Sequence, residues 1–477
     1  MNFAKWKRPA VIAGCVLVAM IGVILLGSRF SVDADAFKPQ FETDASDPLG
    51  LRVSVGNGLR AAFNGDVVLY ARDLRVRNSE GAEVLSAERA TVAVAVLPLL
   101  LKKSHIHRIT VTRPKISVER GRDGVLNWAR RVEPRGTPPV LARARVSLSG
   151  GSVHYKNEMS GDAFRATGVN IELRDLRKQD RKSPNPIAQY SFRGKLGCGE
   201  LQTTTVSVTD VRVAARARNG TVVFDPIAAR VFGGKGLASL RAELSDSVPE
   251  YRLRCTLSEF RIEDCLRTLS ADTIATGAMD FAANVALRGW KPDEWTRTVE
   301  GDVILRGQQI KMHGHDLDKE FSRFASSQSF DIADVGSFFF VGPLGIMATK
   351  GFDFARLIGH SEGGTPIRSF ISSWDVKNGG LQANDVAMAT SKNRLALRGR
   401  LDFVQERFDS VTIALVDKDG CAKVRQELRG TFRKPELTKP TILGSLIGPA
   451  KKVVTTVIDL LPGKCTPFYE GSVKHPD

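Results

Sequence analysis

Apolar and polar side chains alternate residue by residue in many segments of this chain. Alternation places every second side chain on one face of a β-strand, so that this face can pack against a core. Clear examples are residues 116–119, 169–174, 251–257 and 411–415. Turn-forming sequences fall between such segments, at Ser149-Gly150-Gly151, Asn219-Gly220, Gly233-Gly234 and Asn378-Gly379-Gly380. The pattern predicts a mainly β chain.

A tripeptide of an apolar residue, Arg and Gly recurs and is predicted to end strands. Gly allows the backbone to bend or bulge, and the Arg side chain points away from the apolar face. The spacing of the copies is irregular, which argues against a propeller or a solenoid of fixed period. We therefore expect a long antiparallel meander. The copies are residues 192–194, 287–289, 305–307, 397–399 and 428–430.

Helical periodicity is restricted to a few segments. Residues 259–269 and 317–330 carry apolar side chains at helical spacing. Residues 442–461 are largely apolar, contain Pro449 and are predicted to form two short amphipathic helices. Residues 133–139 and 177–186 are predicted linkers, because Pro occurs there together with Gly or with charged residues.

The N-terminus predicts a membrane anchor. Lys5, Lys7 and Arg8 precede an uncharged, mostly apolar run at residues 9–27, which is long enough to span a bilayer as a helix. Basic residues before such a run favour a cytoplasmic N-terminus, so the rest of the chain is expected on the far side of the membrane. A cleavable signal peptide ending near Ala34-Asp35-Ala36 is the alternative, although the run is longer than the apolar region of such a peptide.

The chain is strongly basic. Lysine and arginine total 69 residues against 52 aspartates and glutamates, which is a net charge of +17. The excess is spread along the chain without a basic block, and this argues against a nucleic-acid-binding protein. A basic surface outside the cytoplasm suits anionic lipid headgroups or glycolipid phosphates. Solubility alone is an equally simple reason for the charge.

The six cysteines contain no C-x-x-C pair, which argues against a structural zinc site. Disulfides are permitted outside the cytoplasm. Cys421 follows a turn-like Asp-Lys-Asp-Gly sequence, and Cys465 follows Leu-Pro-Gly-Lys. Because both flank a segment that is predicted to end the domain, we predict that they form a disulfide. Two free thiols are the alternative.

No catalytic motif stands out in the sequence. His313 and His315 share a face of a strand but lack a third metal ligand, and the same holds for His105 and His107. The sequence contains no nucleophile elbow, P-loop or dinucleotide fingerprint. We therefore expect no enzymatic activity, no cofactor and no metal. An envelope enzyme that uses the His313 and His315 pair is the weakest alternative.

Residues 106–128 contain a strand, a Pro, a second strand and the sequence Asp-Gly-Val-Leu-Asn-Trp. This order resembles a segment of the AsmA family, whose members are inner-membrane-anchored proteins of Gram-negative envelopes. Residues 146–155 are similar to the strand-Gly-strand unit that follows it in the family. The resemblance covers the anchor and most of the chain and is weakest at about residues 184–303. Further matching pieces are residues 342–345, 374–379, 398–402, 420–421 and 465–473.

The resemblance implies an elongated, curled antiparallel sheet, a repeating β-groove, whose concave face is apolar. It also implies a role in outer-membrane homeostasis through phospholipid movement between the inner and outer membranes. The expected location is the inner membrane, with most of the chain in the periplasm. The expected regions are a cytoplasmic N-terminus (1–8), the anchor (9–27), an N-terminal β region (28–135), a central β-groove (141–300) and an AsmA-like C-terminal region with terminal amphipathic helices (301–477).

Inward-facing apolar residues are the candidates for lipid binding. They are Ile171, Leu173, Leu253, Phe338, Phe339, Phe340 and Leu397. The three phenylalanines lie in an apolar run at residues 335–348, which is too short to span a bilayer; a buried strand and turn is the alternative there. Asp123 and Gly124 suit a turn, Asn127 belongs to the same structural motif, and Trp128 is expected to pack against the sheet.

Phospholipids are the expected partners of such a groove. The alternative is a protein-binding scaffold that assists the assembly of outer-membrane proteins, because exposed sheet edges can bind a strand of a partner.

Overall fold

The computed structural model describes residues 31–47, 49–56, 58–63, 66–95, 105–129, 140–178, 185–268, 275–313, 316–319, 364–439, 441–442 and 465–476. These residues form a mainly β chain with a few short helices, which confirms the predicted fold class at that level. The chain divides into two compact units, Met1–Pro226 (unit 1) and Ile227–Asp477 (unit 2). The predicted anchor at residues 9–27 lies outside the described residues, and none of the described helices is long and apolar enough to cross a membrane.

The described part of unit 1 forms a sheet, with the short helix α1 (Lys38–Ser46) before its second strand. Its strands are β1 (Ser31–Asp33), β2 (Arg52–Ser54), β3 (Arg60–Phe63), β4 (Asp66–Arg77), β5 (Glu83–Ala95), β6 (His105–Arg120), β7 (Val140–Asn157), β8 (Ala163–Lys178), β9 (Tyr190–Thr203) and β10 (Ser207–Arg218). The next strand, β11 (Thr221–Val231), crosses the division between the units.

Strands β4 to β10 pair in chain order, each beside the next. On the other edge of β4, β3 pairs with its first half and β2 with its last residues, and β1 pairs with β3. All of these pairs are antiparallel except β6 and β7, which are parallel. A parallel pair needs a return connection of a dozen or more residues, and the segment between Arg120 and Val140 supplies it. The predicted antiparallel meander is therefore wrong at β6 and β7.

Among the described residues, unit 2 contains the short helices α2 (Ile262–Leu266) and α3 (Pro292–Thr298), apart from the helical residues 317–319. Its strands are β12 (Gly234–Glu243), β13 (Glu250–Arg261), β14 (Ala275–Thr276), β15 (Ala278–Arg288), β16 (Glu300–His313), β17 (Gly364–Lys377), β18 (Gly380–Ala389), β19 (Arg394–Asp402), β20 (Arg407–Val416), β21 (Ala422–Thr431), β22 (Lys434–Leu437) and β23 (Thr441–Ile442).

The sheet of unit 2 is an antiparallel meander. From β12 to β21 each long strand pairs with the next. The short strand β14 pairs with β16 beyond the end of β15, and β22 and β23 both pair with β21. These pairings agree with the predicted meander.

The two units differ in how they bury apolar side chains. Unit 2 has a large core cluster with fully buried Trp374, Phe403 and Met279. The described clusters of unit 1 are small, and most of their buried members are Ala and Val, as in the cluster around Ala166 and Val169. Unit 2 thus has a large core, whereas most of the larger apolar side chains described in unit 1, with Leu59 as an exception, are only partly covered.

The C-terminal tail, residues 465–476, packs on a second face of the unit 2 sheet. Tyr469 and Val473 lie in a cluster with small side chains of β18, β19 and β20, such as Ala387. The Tyr469 hydroxyl donates to a carboxylate oxygen of Asp385 at 2.6 Å and accepts from the Val473 N–H at 3.0 Å. A disulfide joins Cys421 and Cys465, the pair that the sequence predicts, with their Cα atoms 6.0 Å apart.

Several local predictions differ from the structure. Ser149-Gly150-Gly151 is not a turn: it lies inside β7, where Gly150 has a φ of 63° and the register with β8 shifts. The helix predicted at residues 259–269 is shorter, because β13 continues to Arg261 and Phe260 still pairs with Met279. The tripeptides at residues 192–194, 305–307 and 397–399 lie inside β9, β16 and β19 rather than at their ends.

Two predicted helical segments lie mostly outside the described residues. Leu317, Asp318 and Lys319 are helical, but the rest of the helix predicted at 317–330 is not described. Residues 443–461 of the two helices predicted at 442–461 are not described either. The division at Pro226 differs from the predicted boundaries near residues 140 and 300. Strands begin at both predicted positions, and each is paired on both sides, so neither position interrupts a sheet.

Candidate functional site

A row of apolar side chains crosses the sheet of unit 1 at right angles to its strands. Each member is the direct register partner of the next, so all of them lie on one face. We call this set the unit-1 row. Its members, from β4 to β10, are Ala71, Ala90, Val111, Leu148, Ile171, Leu196 and Val213.

A second row runs beside the first on the same face, because its members lie two residues away along each strand. It consists of Leu69, Val92, Ile109, Val146, Leu173, Gly194 and Ala215. A Cβ added at Gly194 would lie 2.7 Å from Cδ2 of Leu173. Glycine at this position therefore leaves room for the Leu173 side chain to lie across the neighbouring strand.

The unit-1 row is covered at one end and open over the rest of its length. Ala71 and Ala90 are buried beneath the N-terminal residues that include Leu59. From Val111 onwards the side chains are only half-buried, and Leu196 is 37% exposed. An open depression of about 490 Å³ follows this part of the row. Its lining includes Leu148, Ile171, Leu196, Val213 and Pro226, together with neighbouring polar residues of the same strands.

The opposite face of the same strands is polar. Thr110, Ser147, Glu172 and Lys195 form a register row there, between members of the two apolar rows. Strand alternation thus makes the sheet of unit 1 amphipathic, with one polar face and one apolar face that the described residues cover only in part.

Unit 2 carries a comparable row whose burial changes along its length. We call it the unit-2 row: Leu240, Leu253, Val285, Gly301, Val376, Leu381, Leu401 and Phe408, from β12 to β20. Leu240, Leu253 and Val285 are half-buried. The last four members are at most 4% exposed. The apolar face is therefore accessible at β12, β13 and β15 and closed from β17 onwards.

Two cysteines of unit 2 lie in apolar surroundings, and burial raises the pKa of both thiols. Cys255 lies two residues from Leu253 on the half-covered face, and burial raises the pKa of its thiol. Burial also raises the pKa of Cys265, which packs against the unit 2 core, to about 11. Both are free thiols in the structure.

The predicted lipid-facing residues have different environments. Ile171 and Leu173 belong to the two rows of unit 1, and Leu253 belongs to the open part of the unit-2 row. Leu397 is 2% exposed and packs in the unit 2 core, so its side chain is not available to a ligand. Phe338, Phe339 and Phe340 lie outside the described residues.

The Asp-Gly-x-x-Asn-Trp motif follows β6 and starts the return connection to β7. Asp123 accepts the Val125 N–H at 3.0 Å, and Gly124 has a φ of 77°, which forms the expected turn. Asn127 is the buried member, 7% exposed, and donates to the Ser117 carbonyl at 2.9 Å. Trp128 is 48% exposed.

The expectation that Trp128 packs against the sheet is therefore wrong. The short amide of Asn127 lies beside the strand instead, where its nitrogen donates one hydrogen bond to a backbone carbonyl of β6. Its main-chain carbonyl also accepts from the Asn78 side chain at 3.2 Å.

The candidate metal ligands are separated from one another. His107 contacts Asp66 at 2.7 Å, and His313 lies 3.0 Å from the Thr276 hydroxyl. The described residues contain no group of three or more metal-ligating side chains. His315 lies outside them, and nothing is described of the His105 side chain.

The sequence analysis missed three other members of the unit-1 row near Ile171, namely Leu148, Leu196 and Val213. Leu148 stands in an alternating Val-Ser-Leu-Ser segment and Leu196 follows a lysine, so both carry the signal of an inward position. What alternation does not contain is the register that brings them side by side.

Comparison with models of known protein families and with curated protein sequences gives no match.

Proposed function

We propose that this chain is an AsmA-like envelope protein that holds phospholipid acyl chains on the apolar face of unit 1. It thereby supports phospholipid movement between the inner and outer membranes. The observation that carries the proposal is the unit-1 row, which is apolar at every strand and half-exposed from Val111 to Val213.

The dimensions of the open part suit one acyl chain. Neighbouring strands lie about 4.8 Å apart, so the five strands from β6 to β10 present an apolar track of about 19 Å. One leaflet of a bilayer has a hydrocarbon depth of about 15 Å, half of the whole core. A chain lying along the row can therefore keep most of its length on apolar side chains.

The energetics require no catalyst. Each methylene that leaves water for an apolar surface gains about 0.8 kcal/mol. A lipid that crosses the periplasm without such a surface exposes all of its methylenes, so a continuous apolar track lowers the barrier to transfer. The polar face of the sheet stays in water, as the headgroup does.

The sequence and its resemblance to the AsmA family support the other parts of the proposal. Residues 9–27 anchor the chain in the inner membrane with residues 1–8 in the cytoplasm, and the sheet is curled into the elongated groove that the AsmA resemblance implies. The open part of the unit-2 row, around Leu253, serves as a second apolar surface for lipid. The chain works without cofactor, metal or catalytic residue.

Lipid carried by the purified protein tests the proposal. The full chain is purified in mild detergent, and its lipid is extracted and quantified by mass spectrometry. Leu196→Glu places a carboxylate in the middle of the row, and because burying a charge is costly we expect about tenfold less bound phospholipid. The matched control is Gln202→Glu, an exposed position on the same strand, which should bind as the unchanged chain does.

Two results contradict the proposal. One is that the unchanged chain proves to carry no phospholipid and to accept none from labelled liposomes. The other is that both variants lose lipid to the same extent.

A further inference from the structure

The polar face of unit 1 carries a pocket that is rich in arginine. It has a volume of about 370 Å³ and lies across β6 to β9. Asp175 is the single carboxylate among its lining residues, and His107 also lines it. The arginines that line it are Arg108, Arg143, Arg145, Arg174 and Arg193.

Strand register brings these arginines together. Arg108 of β6 is the direct partner of Arg145 of β7, and Arg174 of β8 is the direct partner of Arg193 of β9. Like charges directly opposite each other destabilise a sheet. Two such pairs on adjacent strands are therefore an arrangement that folding alone does not favour.

The backbone is irregular at the same level of the sheet. Arg143 and Asp175 have φ values of 48° and 56°, in the left-handed region. The register shifts beside both residues, between Ala144 and Val146 and between Arg174 and Arg177. β-Bulges redirect side chains, and strained residues of this kind concentrate at binding sites. The bulges here add Arg143 and Asp175 to the face that already carries the paired arginines.

The carboxylates on this face neutralise only part of the positive charge. Arg193 binds Asp175 at 2.5 Å and, together with Arg143, holds the pKa of that carboxyl below its usual range. Arg174 pairs with Glu172 at 2.5 Å. In the part of the chain that the structure describes, Arg108 and Arg145 have no carboxylate within ion-pairing distance.

We propose that this arginine cluster binds a phosphate group, carried by a lipid headgroup or by a free phosphate compound. Guanidinium groups bind phosphate through paired, charge-assisted hydrogen bonds, and a concave basic surface concentrates anions. Arg108 and Arg145 supply the unpaired donors, and Arg193 is released from Asp175 to join them. The pocket lies on the face opposite the apolar rows, so the site is independent of the proposed acyl-chain surface.

Calorimetric titration of the full chain in detergent at low salt tests the site. The probes are inorganic phosphate and glycerophosphoglycerol, the headgroup diester of phosphatidylglycerol without acyl chains. Because neither probe has an apolar part, the result does not depend on lipid binding at the rows. Cluster-dependent binding of either probe supports the site, and the probe that binds more tightly identifies the source of the phosphate.

Two double variants separate the site from general charge effects. Arg108→Gln with Arg145→Gln removes the unpaired donors and should weaken binding about tenfold or more. Arg75→Gln with Arg165→Gln removes the same charge at exposed positions of β4 and β8 and should leave affinity unchanged. Absence of saturable binding for both probes, or equal weakening by the two double variants, overturns the proposal.

Asp175→Asn gives a result of the opposite sign. The substitution removes the carboxylate that competes for Arg193, and Asn tolerates the left-handed backbone of this position. We expect severalfold tighter binding of phosphate, which damage to the fold would not produce. Unchanged or weaker binding contradicts the assigned role of Arg193.

Discussion

Leu253 and Leu401 lie in the same register row of unit 2 but in opposite environments. Leu253 on β13 is half-buried, whereas Leu401 on β19 is fully buried. One periodic pattern therefore serves two purposes in this unit. It builds a closed core at β17 to β20 and leaves an accessible apolar surface at β12, β13 and β15.

Truncation of these two leucines should have unequal effects on stability. Leu401→Ala leaves a cavity in the core and should lower the free energy of unfolding by about 2–5 kcal/mol. Leu253→Ala removes a side chain that is already half in water and should cost about 1 kcal/mol. Urea denaturation followed by tryptophan fluorescence measures both. Equal losses would show that the row is equally packed along its length.

The motif that starts the return from β6 to β7 makes a second prediction. Asn127→Ala leaves the Ser117 carbonyl without its side-chain donor and should destabilise the chain by about 1–3 kcal/mol. Trp128→Ala removes a side chain that is half-exposed and should cost less than about 1 kcal/mol. The same denaturation experiment compares them. A larger loss for Trp128→Ala would restore the sequence-based expectation that the indole packs on the sheet.

Alkaline pH should loosen the C-terminal tail through Tyr469. Burial, and then the hydrogen bond to Asp385, raise the pKa of this phenol above its ordinary value near 10. The folded chain thus retains the proton to higher pH than the unfolded chain, so stability falls as pH rises above about 10.

Tyr469→Phe provides the comparison for that effect. The variant should be about 1–3 kcal/mol less stable at neutral pH, because the Val473 N–H loses its acceptor. It should also lose part of the alkaline decline, measured by denaturation between pH 8 and 11. Identical declines in the two proteins would mean that Tyr469 does not contribute to it.

The Cys421–Cys465 disulfide should contribute strongly to the stability of unit 2. The bridge spans 44 residues of sequence, for which restriction of the unfolded chain corresponds to about 4 kcal/mol. Cys421→Ser with Cys465→Ser should lower the melting temperature, and dithiothreitol should lower that of the unchanged chain to a similar value. A melting temperature unaffected by both treatments would show that the tail is held by its other contacts alone.

Much of the fold follows from side-chain alternation. The segments at 169–174, 251–257 and 411–415 are strands, and Ile171 and Leu253 lie on apolar faces as expected. Alternation identifies which side chains lie on the apolar face of a strand, because that pattern is contained in a single chain segment. It contains no information about the neighbour, so the parallel pairing of β6 with β7 and the alignment of Leu148 with Ile171 were not predictable from it.

The errors have a related cause. Leu397 has the same pattern as Leu253, but contacts from other segments bury it in the core. The sequence around Gly150 is typical of a turn, yet β6 and β8 pair with residues before and after it, so β7 continues through this position. In both cases tertiary contacts, which a local pattern does not contain, decide the outcome.

Site-specific photocrosslinking in cells tests most directly whether the unit-1 row holds lipid. A photoreactive residue replaces Leu196 in one variant and Lys195, its neighbour on the polar face, in another, and adducts are identified by mass spectrometry. We expect phospholipid adducts at position 196 and none at position 195. Equal lipid adducts at both positions, or adducts of protein alone at position 196, would contradict an acyl-chain surface and favour a protein-binding scaffold.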